Sequence, residues 1–356
     1  MMSGDGLLVR VKLQKARLDA DEVQTLCELA ETFGNGMIDI TSRANLQIRG
    51  VSDGTYPNLL DRLIAKGLVD ADPEKEAGRR VTVQPFWRAG DLTDRLATAL
   101  EHMVLPDLPD KMGIVIDTGP ERLLSTVSGD FRLETDAAGN LILRAAGALA
   151  GRPISENDAP EALADLIAWF LATSGAHAGR MVRHLRQTAL PPEWQTRLPR
   201  HEADRPDPGP AYGAHLYGVP FGQTDAAALR ALMTTSKASH LRVTPWRMLF
   251  LEDARLVDVP GFFSTPNPLL GVAACPGAPA CAQATVDTRD LARSLAGRTR
   301  GRLHVSGCDK GCALRTPAAT TLVGRDGRFD LVQDGTPADT PTKRGLTQAE
   351  VLELFC

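Results

Sequence analysis

Four of the six cysteines in this 356-residue chain fall within one short stretch, and no other sequence feature constrains the fold as strongly. Cys275 and Cys281 form a first pair with five residues between them, and Cys308 and Cys312 form a second pair with three residues between them. Gly, Pro and Ala surround both pairs, and bulky side chains are almost absent next to them. Small residues allow backbone amides to approach a compact inorganic group, so the chain is expected to fold around a centre held by four thiolates.

Three kinds of site can use four cysteines. Structural zinc sites usually separate paired cysteines by roughly two to four residues, which fits the first pair poorly. Disulfides need an oxidising compartment, and the start of the chain has no basic stretch leading into an apolar one, so a cytoplasmic location is expected. The spacing therefore favours an iron–sulfur cluster, with zinc as the alternative. Cys27 and Cys356 are expected to take no part.

The composition excludes several classes of partner. The formal net charge is −4, and aromatic residues make up 5% of the chain. A nucleic-acid-binding protein would need a basic excess, and a platform for single strands would need more aromatic rings. No uninterrupted apolar run reaches the roughly 18 residues that indicate a membrane span. We therefore expect no nucleic acid and no membrane partner, and a local cluster of Arg and Lys must hold any anionic ligand.

The N-terminal part of the chain alternates strand and helix patterns. Residues 7–13 predict a half-buried strand. Asp19 and Glu22 have the spacing of a capping box, and apolar residues then recur on one helical face. Residues 37–49 predict another strand with an unusually polar middle, and residues 57–66 predict a second helix. This order indicates an α/β layer with helices on one face.

A similar pattern returns about 200 residues later. Residues 213–219 predict a strand, residues 224–236 a helix, and residues 240–250 a further strand with a polar centre. Aligning Thr41 with Thr244 places apolar residues over apolar residues on both sides. This degenerate repeat predicts two halves that pair around a pseudo-two-fold axis and leave a cleft between them.

The segments between and after the halves predict further elements. Between the halves, the sequence predicts a loop leading into a strand over 108–117, paired strands over 122–146 that turn at 138–140, and a helix from Asp158. After the second half, it predicts a short helix over 290–295, strands over 302–305 and 318–323 with a turn at 325–327, and a last helix with a Thr347–Glu350 capping box. Residues 188–210 contain six prolines. They predict a stiff connection rather than part of a core, and the main domain boundary is placed there.

Several cations stand in predicted strands or in the loops leading into them, where a plain core would have apolar residues. They are Arg43, Arg79, Arg80, Lys111, Arg242 and Arg247. Any one of them alone is typical of a solvated face. Together they favour a ligand with several carboxylates, because arginine binds carboxylates bidentately and these residues come from separate segments.

The cysteine spacing C-x5-C followed by C-x3-C, within Ser-Gly-Cys-x-x-Gly-Cys, resembles the sulfite and nitrite reductase superfamily. The resemblance implies an α/β (α+β) fold of two pseudo-two-fold-related ferredoxin-like half-domains of the sulfite/nitrite reductase type, plus iron–sulfur cluster-bearing α/β domains. It also implies a 4Fe-4S cluster held by Cys275, Cys281, Cys308 and Cys312 beside a tetrapyrrole. The expected domains are a first ferredoxin-like half-domain (1–75), a first tetrapyrrole- or cluster-type α/β domain (76–187), a Pro-rich linker (188–212), a second half-domain repeat (213–260) and a 4Fe-4S cluster-binding domain (261–356).

Two further motifs resemble parts of the superfamily's active site. Residues 41–47 resemble its Thr-x-Arg strand, which implies that Arg43 contacts the tetrapyrrole and the active-site anion, and Arg79 falls where the next family arginine lies. Residues 108–113 resemble its lysine segment, in which Lys111 is kept and the second lysine is replaced by Gly113. We expect Lys111 and Arg43 to be catalytic. The loss of the second lysine disfavours six-electron reduction of sulfite or nitrite, which needs paired charges and protons.

Residues 242–247, together with Asp309 and Lys310, resemble the precorrin-3B synthase family, an oxygenase branch of the same superfamily. The resemblance implies a monooxygenase that uses O2 and external, NADH-derived electrons to hydroxylate precorrin-3A at C20 and close the ring A acetate as a lactone. The tetrapyrrole is then the substrate, and Arg43, Arg79, Arg80, Lys111, Arg242 and Arg247 are expected to bind it.

The resemblance also implies a mononuclear non-haem iron. The usual ligand set would be two histidines and a carboxylate, but the seven histidines show no ligand spacing. No G-x-G-x-x-G follows a predicted strand, so a separate reductase is expected to deliver the electrons. The alternatives are a sirohaem-dependent nitrite or sulfite reductase, and an iron–sulfur electron carrier or scaffold, which would leave the arginines without a ligand.

Overall fold

The computed structural model describes residues 2–101, 103, 105–106 and 108–355, and within them the chain forms four five-stranded sheets. The strands are β1 (Met2–Ser3), β2 (Gly6–Val11), β3 (Arg17–Asp19), β4 (Met37–Ile40), β5 (Leu46–Val51), β6 (Val81–Val83), β7 (Ile114–Asp117), β8 (Phe131–Thr135), β9 (Leu141–Ala145), β10 (Arg152–Pro153), β11 (Gly209–Ala211), β12 (Ala214–Gly218), β13 (Gln223–Asp225), β14 (His240–Val243), β15 (Met248–Glu252), β16 (Ala273–Ala274), β17 (Leu303–Ser306), β18 (Ala318–Arg325), β19 (Arg328–Gly335) and β20 (Lys343–Leu346). The helices are α1 (Ala20–Phe33), α2 (Tyr56–Ala65), α3 (Pro73–Gly78), α4 (Leu92–Glu101), α5 (Ala159–Ala172), α6 (Gly175–Ala178), α7 (Met181–His184), α8 (Ala226–Ser236), α9 (Arg289–Leu295) and α10 (Gln348–Leu354).

Helix α1 begins where the sequence predicts. The Asp19 carboxylate accepts the Glu22 N–H at 2.8 Å, and the Glu22 carboxylate accepts the Asp19 N–H at 2.8 Å, so the predicted capping box is confirmed. The same arrangement of Thr347 and Glu350 confirms the predicted start of α10. One face of α1 is buried through Val23, Leu26, Cys27, Leu29 and Ala30.

The prediction of a single strand over residues 37–49 is wrong, because the polar middle is a tight turn between β4 and β5. The Thr41 N–H donates to the Asn45 carbonyl at 2.9 Å, and the Thr41 hydroxyl accepts the Asn45 N–H at 3.1 Å. Ala44 adopts a left-handed φ of 55° to close the turn. The threonine hydroxyl offers the backbone a partner that competes with a continuing ladder, and the chain reverses.

The strand predicted over residues 240–250 is divided in the same way, into β14 and β15. The Thr244 N–H donates to the Met248 carbonyl at 3.0 Å, and the Thr244 hydroxyl accepts the Met248 N–H at 3.2 Å. Arg247, which aligns with the left-handed residue of the first turn, has a φ of 61°. Two turns with the same hydrogen bonds and the same strained position confirm the internal repeat.

The two halves exchange a strand. The first sheet has the order β1-β2-β5-β4-β13, and another has the order β11-β12-β15-β14-β3, so each half contributes one short strand to the other's sheet. Both exchanged strands follow a tight turn with a left-handed residue, Lys15 or Phe221, and both lead into a helix capped by an aspartate, Asp19 or Asp225. The halves therefore share one hydrophobic core.

The remaining two sheets are mixed. One has the order β10-β9-β8-β7-β6 and packs against α4 and α5, and its β8–β9 hairpin turns where the sequence predicts. The other has the order β16-β17-β18-β19-β20 and packs against α9 and α10. No helix in the described part of the chain is long and apolar enough to cross a membrane.

The Pro-rich connection is more than a spacer, which corrects the prediction that it lies outside a core. Leu190 and Trp194 are buried in the core of the β6–β10 domain. The Gly151 N–H donates to the Arg197 carbonyl at 2.8 Å, and the Arg197 N–H returns a bond to the Gly151 carbonyl. Prolines exclude the segment from a regular ladder, but they do not prevent a single aromatic ring from filling the core.

An ion triad fastens the exchanged strand β3 to its host sheet. The Glu252 carboxylate accepts two hydrogen bonds from Arg17, at 2.7 and 3.0 Å, and one from the buried Arg242 at 2.6 Å. Burial by itself would raise the pKa of Glu252, but the hydrogen bonds from the two arginines dominate and hold that pKa at about 2. The carboxylate therefore stays ionised within the fold.

We predict that Glu252→Gln costs about 3 kcal/mol of unfolding free energy at neutral pH, because it leaves the Arg242 charge buried without its partner. The native pKa is depressed, so this stabilisation is complete above the ordinary value of 4.5 and is lost as pH falls towards about 2. Urea unfolding of the variant should lack that part of the acid dependence. The control is Glu156→Gln, which removes an exposed partner of Arg95 and should change stability little. Equal effects in both variants would contradict the role of the triad.

Candidate functional site

The two cysteine pairs follow two neighbouring parallel strands. Cys275 comes directly after β16, and Cys308 comes two residues after β17. These strands pair in parallel, with Ala274 opposite Val305. Because the carboxyl ends of parallel strands lie at the same edge of a sheet, the pairing delivers both cysteine loops to one place.

The four thiols lie within electrostatic reach of one another. Burial raises the pKa of the Cys312 thiol, and the thiols of Cys308, Cys275 and Cys281 raise it further. All four cysteines are free. Cys275 is buried, Cys281 and Cys308 are half-buried and Cys312 is exposed, so the group opens at one side. The Gly307 N–H already donates to the Cys275 sulfur at 3.1 Å.

Close approach of backbone segments explains the small residues around the thiols. Gly277 has a φ of 69°, and a Cβ there would come within 2.8 Å of the Thr288 nitrogen. A Cβ on Gly307 would come within 2.5 Å of the Ala284 Cβ. The Thr288 hydroxyl donates to the Cys275 carbonyl at 2.5 Å and fixes that loop. Four thiols on tightly packed loops with an amide directed at sulfur suit a 4Fe-4S cluster. Among the described residues, no three His, Cys, Asp or Glu side chains, these four cysteines included, form a group that could hold a single metal ion. The ligands of a 4Fe-4S cluster bind four separate irons and lie farther apart than the ligands of one ion.

Three of the predicted substrate-binding arginines line one cavity of about 340 Å³. Arg43 projects from the first hairpin turn and donates to the Lys111 carbonyl at 2.5 Å. Arg80 donates to the Pro109 carbonyl at 2.9 Å, so both arginines hold the lysine segment against the cavity. Arg79 also lines this cavity, and its guanidinium forms ion pairs with Asp70 at 3.6 Å and Glu76 at 3.4 Å.

This first cavity is rich in positive charge. Burial lowers the pKa of Arg43, and the charges of Arg180 and Arg10 lower it further. Lys12 also lines the cavity. Lys111 is exposed beside it and offers its ammonium group to solvent. An environment that disfavours an arginine charge is stabilised when an anion binds there.

A second cavity, of about 770 Å³, lies between the hairpin turns and the cysteine loops. Ser42 of the first turn and Arg247 of the second turn line it from one side. Ala273 and Ala313, which lie next to the cysteine loops, line it from the other side. The first turn thus separates the two cavities, since Arg43 faces the first and Ser42 faces the second.

The structure does not bring Arg242 to either cavity. It is 5% exposed, pairs with Glu252 and donates to the carbonyls of Pro85 at 2.8 Å and Trp87 at 2.5 Å. Its guanidinium also lies 3.9 Å from the centre of the Trp87 ring. These contacts give Arg242 a structural position between the second half-domain and the β6–β10 domain.

Sequence patterns missed a polar chain that connects the half-domains to the cysteines. The buried Arg49 pairs with Asp39 at 2.6 Å, Asp39 accepts from Gln223 at 2.6 Å, and Gln223 accepts from Arg289. Burial lowers the pKa of Arg289 to about 10, and the charge of Asp39 opposes that shift. Arg289 follows Thr288, which holds the Cys275 loop. The exchange strand β13 places Gln223 in this chain, and no local signal reveals it.

We predict a clear order of thiol reactivity in metal-free protein. Cys27 is fully buried, and burial raises the pKa of its thiol to about 12, so almost no thiolate is present at mildly alkaline pH. The exposed Cys312 and the half-buried Cys308 should react with iodoacetamide first. Peptide mass spectrometry with time would detect this order. Modification of Cys27 before Cys312 in folded protein would contradict the arrangement.

The chain was compared with known proteins. Residues 1–66 match the nitrite/sulfite reductase ferredoxin-like half domain. The chain is 29% identical to precorrin-3B synthase from Sinorhizobium sp over 96% of its own length and 82% of that protein. It is 27% identical to the ferredoxin–nitrite reductase of Synechococcus elongatus over 35% of this chain and 27% of that protein.

Among solved structures, the NirA protein of Mycobacterium tuberculosis has the same fold. The TM-score is 0.63 at 19% identity, and the match covers 97% of this chain and 79% of that one. Residues 1–66 are therefore similar to the ferredoxin-like half domain of nitrite and sulfite reductases, the whole chain shares the fold of NirA, and along nearly its whole length it is similar to precorrin-3B synthase.

Proposed function

We propose that this chain is an oxygenase of the precorrin-3B synthase type, which hydroxylates precorrin-3A at C20 and closes the ring A acetate as a lactone. One observation carries the proposal: Arg43, Arg79 and Arg80 line a cavity on one side of the first hairpin turn, and Arg247 and residues next to the cysteine loops line a cavity on the other side. Volumes of about 340 and 770 Å³ are in the range of ligand pockets, roughly 300–1,000 Å³. The similarity to precorrin-3B synthase supports the choice of substrate.

Cys275, Cys281, Cys308 and Cys312 would hold the 4Fe-4S cluster, which supplies one-electron transfer when it is bound. The Gly307 N–H stabilises negative charge on the Cys275 sulfur. A mononuclear iron has no three-ligand group among the described residues, and no step is assigned to it. Electrons derived from NADH come from a separate reductase in the cytoplasm.

The cations of the first cavity bind and orient the substrate. Arg43 holds a carboxylate of precorrin-3A, and its bond to the Lys111 carbonyl fixes the guanidinium against the lysine segment. Arg79 is paired with Asp70 and Glu76 and contributes its charge to the cavity wall. Arg80 positions the same segment through the Pro109 carbonyl. Lys111 follows Asp110 of the cavity wall, and its ammonium group would supply a proton to the reacting oxygen.

Two features favour O2 over an oxyanion as the second substrate. Gly113, which stands in place of the second family lysine, is closely packed, because a Cβ there would come within 3.1 Å of the Arg80 carbonyl. Trp246 aligns with Arg43 and stacks on Phe86 with ring centres 6.0 Å apart, so it adds an apolar wall. Without the second lysine, an oxyanion would lack one of the proton-bearing groups that its reduction needs.

The reaction balances with two electrons and two protons from outside the macrocycle. One oxygen atom of O2 enters the substrate, and the other leaves as water. The residues of the chain bind the carboxylates, orient C20 and exclude bulk water from the cavity.

A second candidate is a sirohaem-dependent nitrite or sulfite reductase, which the similarity to ferredoxin–nitrite reductases favours. In that case the tetrapyrrole would be a resident cofactor and not a substrate. Reduction of sulfite or nitrite by the wild type, with bound sirohaem, would establish it.

We predict that replacing any one of the four clustered cysteines by Ala removes or converts the cluster, because each thiolate binds one corner. Iron and acid-labile sulfide should fall in protein prepared without air. Cys27→Ala is the matched control and should keep both, since that thiol lies inside α1. Cys356 lies outside the described residues, and its replacement should also have no effect. Zinc without iron in the wild type would contradict the cluster.

We predict that incubation with precorrin-3A, a reductant and labelled O2 places one labelled oxygen atom in the macrocycle. Mass spectrometry of the product detects it, and a parallel reaction in labelled water should leave the C20 oxygen unlabelled. The matched control is Cys308→Ala, which should bind the substrate but not turn it over. A C20 oxygen that carries label from water would contradict the oxygenase proposal. Turnover that appears only after Gly113→Lys would contradict it as well.

A further inference from the structure

Three arginines from distant segments face the second cavity. Arg205 belongs to the Pro-rich connection and Arg247 to the second hairpin turn, and Arg302 is the residue directly before β17. No sequence motif identifies Arg205 or Arg302 as a binding residue, and each looks like an ordinary surface arginine in the sequence. Within the described residues, no hydrogen bond or ion pair joins any of the three guanidinium groups to a protein partner.

Like charges gathered without an ion-paired acid repel one another. Burial lowers the pKa of Arg302, and the charges of Arg205 and Arg247 lower it further. Burial also lowers the pKa of Arg247, against the opposing charge of Asp39, and the Arg247 side chain packs over Gly222. The fold tolerates this repulsion, and a bound anion would relieve it.

The rest of the cavity wall is largely apolar, apart from the hydroxyl groups of Ser42, Thr126 and Thr299. Trp246, Leu270, Val272 and Leu303 line it together with the arginines. A small inorganic anion needs no such wall. A ligand with an apolar body and an anionic rim matches both parts of the cavity.

A buried imidazole lies beside the same cavity. His304 stands two residues after Arg302 in an extended segment, so both side chains lie on one face of the sheet. It is completely buried, and neither ring nitrogen has a hydrogen-bond partner within the described residues. Burial and the Arg302 charge lower its pKa to about 4, so the ring is neutral at physiological pH. Buried polar groups without a partner are rare, but His304 does not line the cavity, so a ligand there would meet Arg302 and not the imidazole.

We propose that Arg205, Arg247 and Arg302 form a second carboxylate-binding patch, which holds a planar polycarboxylate macrocycle with its apolar body against Trp246. This inference rests on the proposed function and extends it. The macrocycle then lies across the end of the first hairpin turn, with Arg43 on one side of it and the cysteine loops on the other. Two separate groups of arginines then bind the carboxylates on two sides of one macrocycle.

The test uses anaerobically prepared, cluster-loaded protein and uroporphyrin III as a stable probe that carries a carboxylate on every peripheral arm. Isothermal titration calorimetry measures its dissociation constant. Arg302→Gln and Arg205→Gln should each raise that constant about tenfold, since each removes a hydrogen bond to a charged group. Arg300→Gln is the matched control: it removes the same charge two residues from Arg302, does not line the cavity and should bind as the wild type does.

Each outcome separates the inference from the proposed function. If Arg43→Ala weakens binding but Arg205→Gln and Arg302→Gln do not, the second patch is wrong and the first cavity stands. If Arg205→Gln and Arg302→Gln weaken binding but Arg43→Ala does not, the proposal that the first cavity binds the substrate is wrong. Equal weakening by Arg300→Gln would mean general attraction by charge and would also overturn the patch. Should a Gln variant lose its cluster, Arg302→Lys keeps the charge and should bind more tightly than Arg302→Ala.

Discussion

The exchange of one short strand between the two half-domains is the constraint on which the rest of the structure depends. Because β3 and β13 each complete the other half's sheet, the halves share one core and cannot rotate independently. The two hairpin turns are thereby fixed next to each other, with Ser42 and Arg247 lining one cavity. The exchanged strand also places Gln223 between Asp39 and Arg289, so the same device connects the core to the loop that holds Cys275.

The site is organised by charge that the fold does not neutralise. Arginines with a structural position, such as Arg242 and Arg49, are paired with carboxylates inside the protein. In contrast, Arg43 is surrounded mainly by other cations, and Arg247 has no ion pair within the described residues. This division between satisfied and unsatisfied arginines distinguishes residues that stabilise the fold from residues that await an anionic ligand, and sequence position alone does not reveal it.

Structural features that depend only on neighbouring residues can be predicted from local signals in the sequence. The capping boxes at Asp19 and Thr347 and the β8–β9 hairpin are of this kind. The hairpin turns at Thr41 and Thr244 have the sequence pattern of strands, because the apolar pattern continues on both sides and a threonine is common in strands. The three-residue exchanged strands are too short for any periodicity to reveal. Arg205 and Arg302 could not be assigned, because each becomes part of a site only through residues far away in the chain.

The central claim is that the tetrapyrrole is a substrate of this protein and not a resident cofactor, while the four clustered cysteines hold the only chromophore that remains after purification. The absorption spectrum of protein purified without air tests it most directly, because iron–sulfur clusters and metallated tetrapyrroles absorb in very different ways. We expect a broad brown shoulder that bleaches on reduction, with iron and sulfide in equal amounts. An intense, narrow Soret band that stays with the protein through purification would contradict it.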